Sequence, residues 1–97
     1  MEERGRRIEM LLVEYFDWFG TAEELKKLDA EVKKTCTETK GITYKGRYSP
    51  HQKKFQWCWI FESDGYDKLM EASSKMKWKR DFKLMPHGEV EAFAGPV

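Results

Sequence analysis

Residues 8–19 (IEMLLVEYFDWF) are apolar at odd and even positions alike, interrupted only by Glu9, Glu14 and Asp17. That pattern predicts a central strand covered on both faces. Gly20 ends the run, and Thr21 with Glu24 three positions on has the form of a capping box, so a helix is expected to start there. Leu25, Leu28, Val32 and Cys36 then recur at helical spacing among lysines and glutamates, and Gly41 supplies a stop. From Ile42 to Tyr48 the period falls to two: Ile42, Tyr44, Gly46 and Tyr48 alternate with Thr43, Lys45 and Arg47, as in an edge strand with one wet face. Residues 49–54 around Pro50 read as a hairpin loop.

The next strand, residues 55–62 (FQWCWIFE), sets Phe55, Trp57, Trp59 and Phe61 on one face and Gln56, Cys58 and Ile60 on the other. It is the second central strand. Ser63, Asp64 and Gly65 offer an N-cap to a helix whose apolar side is Tyr66, Leu69, Met70, Ser73 and Met76, expected to end near Trp78 with Lys75, Lys77, Lys79 and Arg80 at its negative pole. After Pro86 and Gly88, residues 89–94 alternate again, Val90, Ala92 and Ala94 against Glu89, Glu91 and Phe93. Residues 1–7 (MEERGRR) show no periodicity and read as a disordered lead-in, leaving residues 8–97 as a single domain.

The order strand, helix, strand, strand, helix, strand closes as a split βαβ arrangement: an α+β, ferredoxin-like βαββαβ domain, with a four-stranded antiparallel sheet and both helices on one face. Central strands are apolar on two faces and edge strands on one, in agreement. The second sheet face should then carry an apolar strip, with Lys45 and Arg47 along one edge and Glu89 and Glu91 along the other. A monomer seldom exposes such a patch, so the expected partner is a second copy, packed sheet to sheet through Lys45, Arg47, Phe55, Trp57, Glu89 and Glu91.

This pattern over residues 8–94 resembles the ferredoxin-like dimeric α+β barrel superfamily, which includes antibiotic-biosynthesis-monooxygenase-like domains and small uncharacterised proteins. The stretch from Lys68 to Glu71, through Trp78 and Phe82 to Pro86, looks like the uncharacterised members. The resemblance implies a homodimer. Monooxygenases and haem-degrading enzymes of that superfamily use an Asn, Trp and His set; here Trp18, Trp57, Trp59, Trp78, His51 and His87 could supply two of the three, but the chain has no Asn. A cofactor-free enzyme would therefore need a non-standard site. Acylphosphatase chemistry, which uses an Arg after the first strand together with an Asn, is discarded on the same ground.

Charge and composition narrow the choices further. Eighteen basic and seventeen acidic side chains nearly cancel, so no global field draws the chain to nucleic acid or an anionic membrane. The apolar run at residues 10–13 is far short of the roughly 20 residues a bilayer span needs. Cys36 and Cys58 form no metal or redox motif, which with the lack of a signal-like leader points to a cytoplasmic protein with reduced thiols.

An RNA-recognition reading is the main alternative. Residues 53–60 loosely resemble an RNP1 pattern, with Lys53 basic and Phe55 and Trp57 as stacking aromatics. Lys54 in place of Gly, Gln56 in place of a small residue, and the phosphate-repelling Glu89 and Glu91 weigh against it, so nucleic acid is not the expected partner.

His51 and His87 stand alone in loops and read as solvated, and no metal or cofactor is called for. The lysine cluster from Lys75 to Lys83 reads as dipole-compensating, and Met70, Met76 and Met85 as core filler. A carboxylate inside an apolar central strand must reach water, pair with a cation or sit in a pocket, which singles out Glu14 and, nearer the turn, Asp17. A pocket of Glu14, Tyr15, Trp18, Tyr44, Tyr48 and Trp59 is therefore the expected place for a small aromatic or apolar ligand.

Overall fold

A computed structural model describes residues 10–51, 54–76 and 88–94. The expectations for the lead-in, Lys53, Trp78, His87, Met85 and the cationic cluster beyond Lys75 lie outside the described residues. The elements are β1 (Met10–Phe16), α1 (Ala22–Thr37), β2 (Ile42–Tyr48), β3 (Trp57–Ser63), α2 (Tyr66–Lys75) and β4 (Val90–Ala94). The sheet is antiparallel throughout in the order β2-β3-β1-β4, so β1 and β3 are central as their two-sided hydrophobicity predicts. This is the ferredoxin-like βαββαβ topology.

The capping box forms as the sequence requires. Glu24 N–H donates to the Thr21 hydroxyl, and Thr21 N–H donates back to the Glu24 carboxylate. Leu25, Val32 and Cys36 are buried and Leu28 is half-buried. The helix stops at Thr37, ahead of Gly41, because its last carbonyls find other partners. Thr39 Oγ1 donates to Thr35 O, and Lys75 Nζ, arriving from α2, donates to Glu38 O (3.3 Å) and Thr39 Oγ1 (2.8 Å). Lys75 thus neutralises the negative pole of α1 as well as ending its own helix.

In α2 the expected side holds at Leu69 and Met76, but the buried face is turned toward Ala72 and away from Tyr66 and Met70. Leu69, Ala72 and Met76 are buried, whereas Tyr66 and Met70 are exposed, Met70 by 51%. Helical spacing accommodates 69, 72 and 76 as well as 66, 70 and 73, and small Ala72 admits closer approach to the sheet. Met70 is therefore not core filler. Gly65 is the N-cap, with no side-chain cap, because the Ser63 hydroxyl is committed to the Gly65 backbone. The helix ends at Lys75, with Met76 as its C-cap.

The core lies between helices and sheet. Leu12 and Phe16 of β1, Trp59 and Phe61 of β3 and Ile42 of β2 pack against Leu25, Val32, Cys36, Leu69, Ala72 and Met76. Phe16 and Trp59 meet with ring centroids 4.4 Å apart. Trp59 and Phe61 are each only 2% exposed, so the aromatic side of β3 faces the helices and the opposite sheet face is built from other residues.

Two glycines have conformational reasons. The β2–β3 register slips between Tyr44 and Gly46, and Gly46 adopts φ +132°, so β2 carries a bulge. Gly88 sits so close to β1 that a Cβ there would lie 1.6 Å from the Tyr15 carbonyl oxygen. Only glycine lets the chain enter β4 beside that strand, where Tyr15 N–H donates to Glu89 O (2.7 Å).

Candidate functional site

The bulge redistributes the β2 side chains. Strict alternation would put Thr43, Lys45 and Arg47 on one face. The extra residue instead leaves Lys45 on the face away from the helices, near Glu62 (3.9 Å), and turns Arg47 toward α1. There Arg47 Nε donates to Asp29 Oδ2 (2.8 Å), and its guanidinium lies 4.3 Å from the centre of the Trp57 ring. Trp59 Nε1 donates to the other Asp29 oxygen (2.9 Å). Asp29 thus ties α1 to β2 and β3 at once. The sequence contained its signal: Asp29 falls four positions after Leu25 and three before Val32, on the core side of α1.

Beside this assembly the end of the sheet and the start of α1 enclose a groove of about 480 Å³, bordered by Trp18, Ala22, Leu25, Lys26, Arg47 and Trp57. Trp18 is fixed on both sides: its backbone N–H donates to Gln56 Oε1 and its indole N–H to Thr21 O. Gln56 N–H in turn donates to Asp17 Oδ1, so Asp17 is a strand-end carboxylate that joins β1 to the approach of β3.

The six residues expected to share a ligand pocket divide between the two sheet faces. Glu14 and Trp59 are directly paired across β1 and β3 and border one cavity, with Val32, Cys36, Leu69 and Met76 around it. That cavity measures only about 20 Å³, room for a water rather than a ligand. Tyr44 is on the same side, packed on Phe61, and Trp18 belongs to the groove. Tyr15 and Tyr48 lie on the opposite face, Tyr15 because it neighbours Glu14 on a strand and Tyr48 because the bulge reverses it. One pocket cannot contain all six.

The face away from the helices carries Leu11, Val13 and Tyr15 of β1, Cys58 and Ile60 of β3, Tyr48 of β2 and Phe93 of β4. Leu11, Tyr48 and Phe93 are 37%, 50% and 48% exposed. Gly46, Ile60, Val13 and Glu91 are paired in one row across the four strands, with Lys45 beside Gly46 at its end. Phe55 stacks on Tyr15 at 5.9 Å, and Lys54 pairs with Glu89. Of the six residues expected at an interface, Lys45, Phe55 and Glu91 are on this face and Glu89 borders it. Arg47 and Trp57 are turned to the helix side, where they stack on each other. The stacking platform of an RNA-recognition motif loses Trp57 for the same reason.

Electrostatics on the two faces differ. The Tyr15 hydroxyl donates to Glu91 Oε1 at 2.6 Å, and that bond, with burial and the nearby carboxylates, pushes its pKa up to about 12. Burial first, then the Asp29 carboxylate, raises Tyr44 well above the ordinary phenol range. Burial pushes the Cys36 thiol up to about 11 and raises Cys58 also, so neither is an activated nucleophile. Both thiols are free, one under α1 and one on the far side of the sheet. His51 is exposed. Among the described residues no three or more His, Cys, Asp or Glu side chains gather as metal ligands, and no helix is long and apolar enough to cross a membrane. Compared with known proteins, the chain matches no family model, no curated protein and no solved structure.

Proposed function

We propose that the chain is a cytoplasmic, homodimeric α+β barrel protein that binds a small aromatic or apolar ligand, the open sheet face of one copy closing on that of another. The observation that supports this reading is the composition of that face: an apolar centre of Leu11, Val13 and Ile60 on β1 and β3, between Lys45 on the β2 edge and Glu91 with Phe93 on the β4 edge. A two-fold axis running along the strands lays β2 of each copy over β4 of its partner. Every cross-strand row then maps onto itself, so Lys45 meets Glu91 and Ile60 meets Val13, twice per dimer. An axis across the strands would set β2 over β2 and bring like charges together. Two free, buried thiols fit a reducing compartment, and the tryptophan-lined groove at the sheet end supplies the ligand reading.

Size exclusion with light scattering at micromolar concentration is expected to give about twice the 11.6 kDa of one chain. Leu11→Lys combined with Phe93→Lys is expected to give a folded monomer with unchanged far-ultraviolet circular dichroism. A wild-type monomer would overturn the dimer.

A further inference from the structure

Arg47 is held from behind and left open in front. Asp29 takes its Nε, the Trp57 ring fixes its plane, and among the described residues its two terminal nitrogens have no hydrogen-bond acceptor. The side chain is 17% exposed, so little water competes with what the groove presents to it. Among the described residues the groove's charged side chains are Arg47 and Lys26, and no carboxylate borders it. Its apolar surface comes from Trp18, Trp57, Ala22 and Leu25. Two terminal N–H groups side by side match the two oxygens of a carboxylate, and indole surfaces match a flat ring.

We infer that this groove binds a small planar aromatic acid, its ring against Trp18 and Trp57 and its carboxylate on the free fork of Arg47, with Lys26 adding positive charge at the rim. Asp29 is the positioning residue, since among the described residues it alone fixes the guanidinium by hydrogen bonding. The inference rests on the small-ligand part of the proposed function and is independent of the dimer. Neither Glu14 nor its small cavity takes part.

The test uses 2-naphthoate and its neutral counterpart 2-naphthalenemethanol, titrated into nitrogen-15-labelled wild-type protein. With the acid, the indole N–H signals of Trp18 and Trp57, assigned through Trp18→Phe and Trp57→Phe, are expected to shift, and that of Trp59, sequestered by Asp29, to move least. The alcohol is expected to bind about tenfold or more weakly, because it cannot accept the charge-assisted pair of bonds. Lys26→Gln, at an exposed position, is expected to narrow that ratio, and Arg47→Lys, which keeps the charge but loses the fork, to narrow it more. Equal affinity for acid and alcohol at the same two indoles would overturn the acid-binding inference while leaving the small-ligand reading intact. Binding of neither probe would overturn both, and acid-induced shifts confined to Tyr15, Ile60 and Phe93 would overturn the location.

Discussion

Single side chains decide which face of this sheet does what, and Asp29 decides most. Its two oxygens accept from Arg47 Nε and Trp59 Nε1 across three elements. Asp29→Ala would strand a mostly buried guanidinium and an indole N–H together, and is expected to cost about 2–4 kcal/mol in a urea unfolding titration. Asp29→Asn can still accept one of the two bonds and should cost less. On the other face Tyr15 carries a different signature. Its phenol is raised in the folded chain to about 12 from the ordinary 10.0, chiefly by donation to Glu91. A folded-state pKa above the unfolded one means that the neutral phenol stabilises the fold at every pH below 10. That contribution is lost as pH rises from 10 through 12. Ultraviolet titration should find one tyrosine ionising late for this reason, and Glu91→Gln should bring it down. Tyr44 also ionises late through its burial, so Tyr15 is the phenol that responds to Glu91.

At the level of elements, two glycines set the registers. Gly46 at φ +132° makes the β2 bulge, and Gly88 allows β4 to begin against the β1 backbone. Gly46→Val would place a branched side chain in backbone space open to glycine. It is expected to lose about 1–3 kcal/mol and to loosen the Arg47–Asp29 pair. Gly88→Ala would drive its methyl into the Tyr15 carbonyl, and should cost at least as much in thermal unfolding.

Element order, both central strands, β2 and the capping box were legible in the sequence because each rests on local chemistry: period, cap and breaker. The fate of Arg47 was not, since alternation takes Gly46 as a neutral member of the strand, whereas a glycine inside a strand is also the mark of a bulge. The orientation of β3 was equally hidden. Phe55, Trp57, Trp59 and Phe61 outweigh Cys58 and Ile60, but period two says only that they share a face, not which layer covers it. Phe55 in fact precedes the strand and stacks on Tyr15, on the opposite side from Trp57. Likewise the pocket composed around Glu14 gathered residues from two faces, because Tyr15 follows Glu14 directly on a strand and the β2 bulge turns Tyr48 away from Tyr44.

For the whole molecule, the open face links fold to assembly, and its row of paired residues turns the proposed dimer into a measurable coupling. Lys45 and Glu91 lie at opposite ends of one row, bordering the inner pair Ile60 and Val13, and are too far apart across four strands to bond within one copy. Within a copy each has a different partner: Lys45 lies near Glu62 and Glu91 accepts from Tyr15. Lys45→Glu and Glu91→Lys should each weaken self-association, by facing like charges across the two-fold axis and by disturbing those local partners. Only the local losses should persist in the combined variant. The facing charges become opposite again, at two equivalent places, so the combined variant is expected to dimerise more tightly than either single one. The recovery should be about 0.5–2 kcal/mol in sedimentation equilibrium, and smaller at high salt. If the axis instead crossed the strands, Lys45 would face its own symmetry mate and so would Glu91. Each single substitution would then exchange one like-charged pair for another, and combining the two would recover nothing. The sign of that coupling therefore reports the direction of the axis, and with it whether β2 lies over β4.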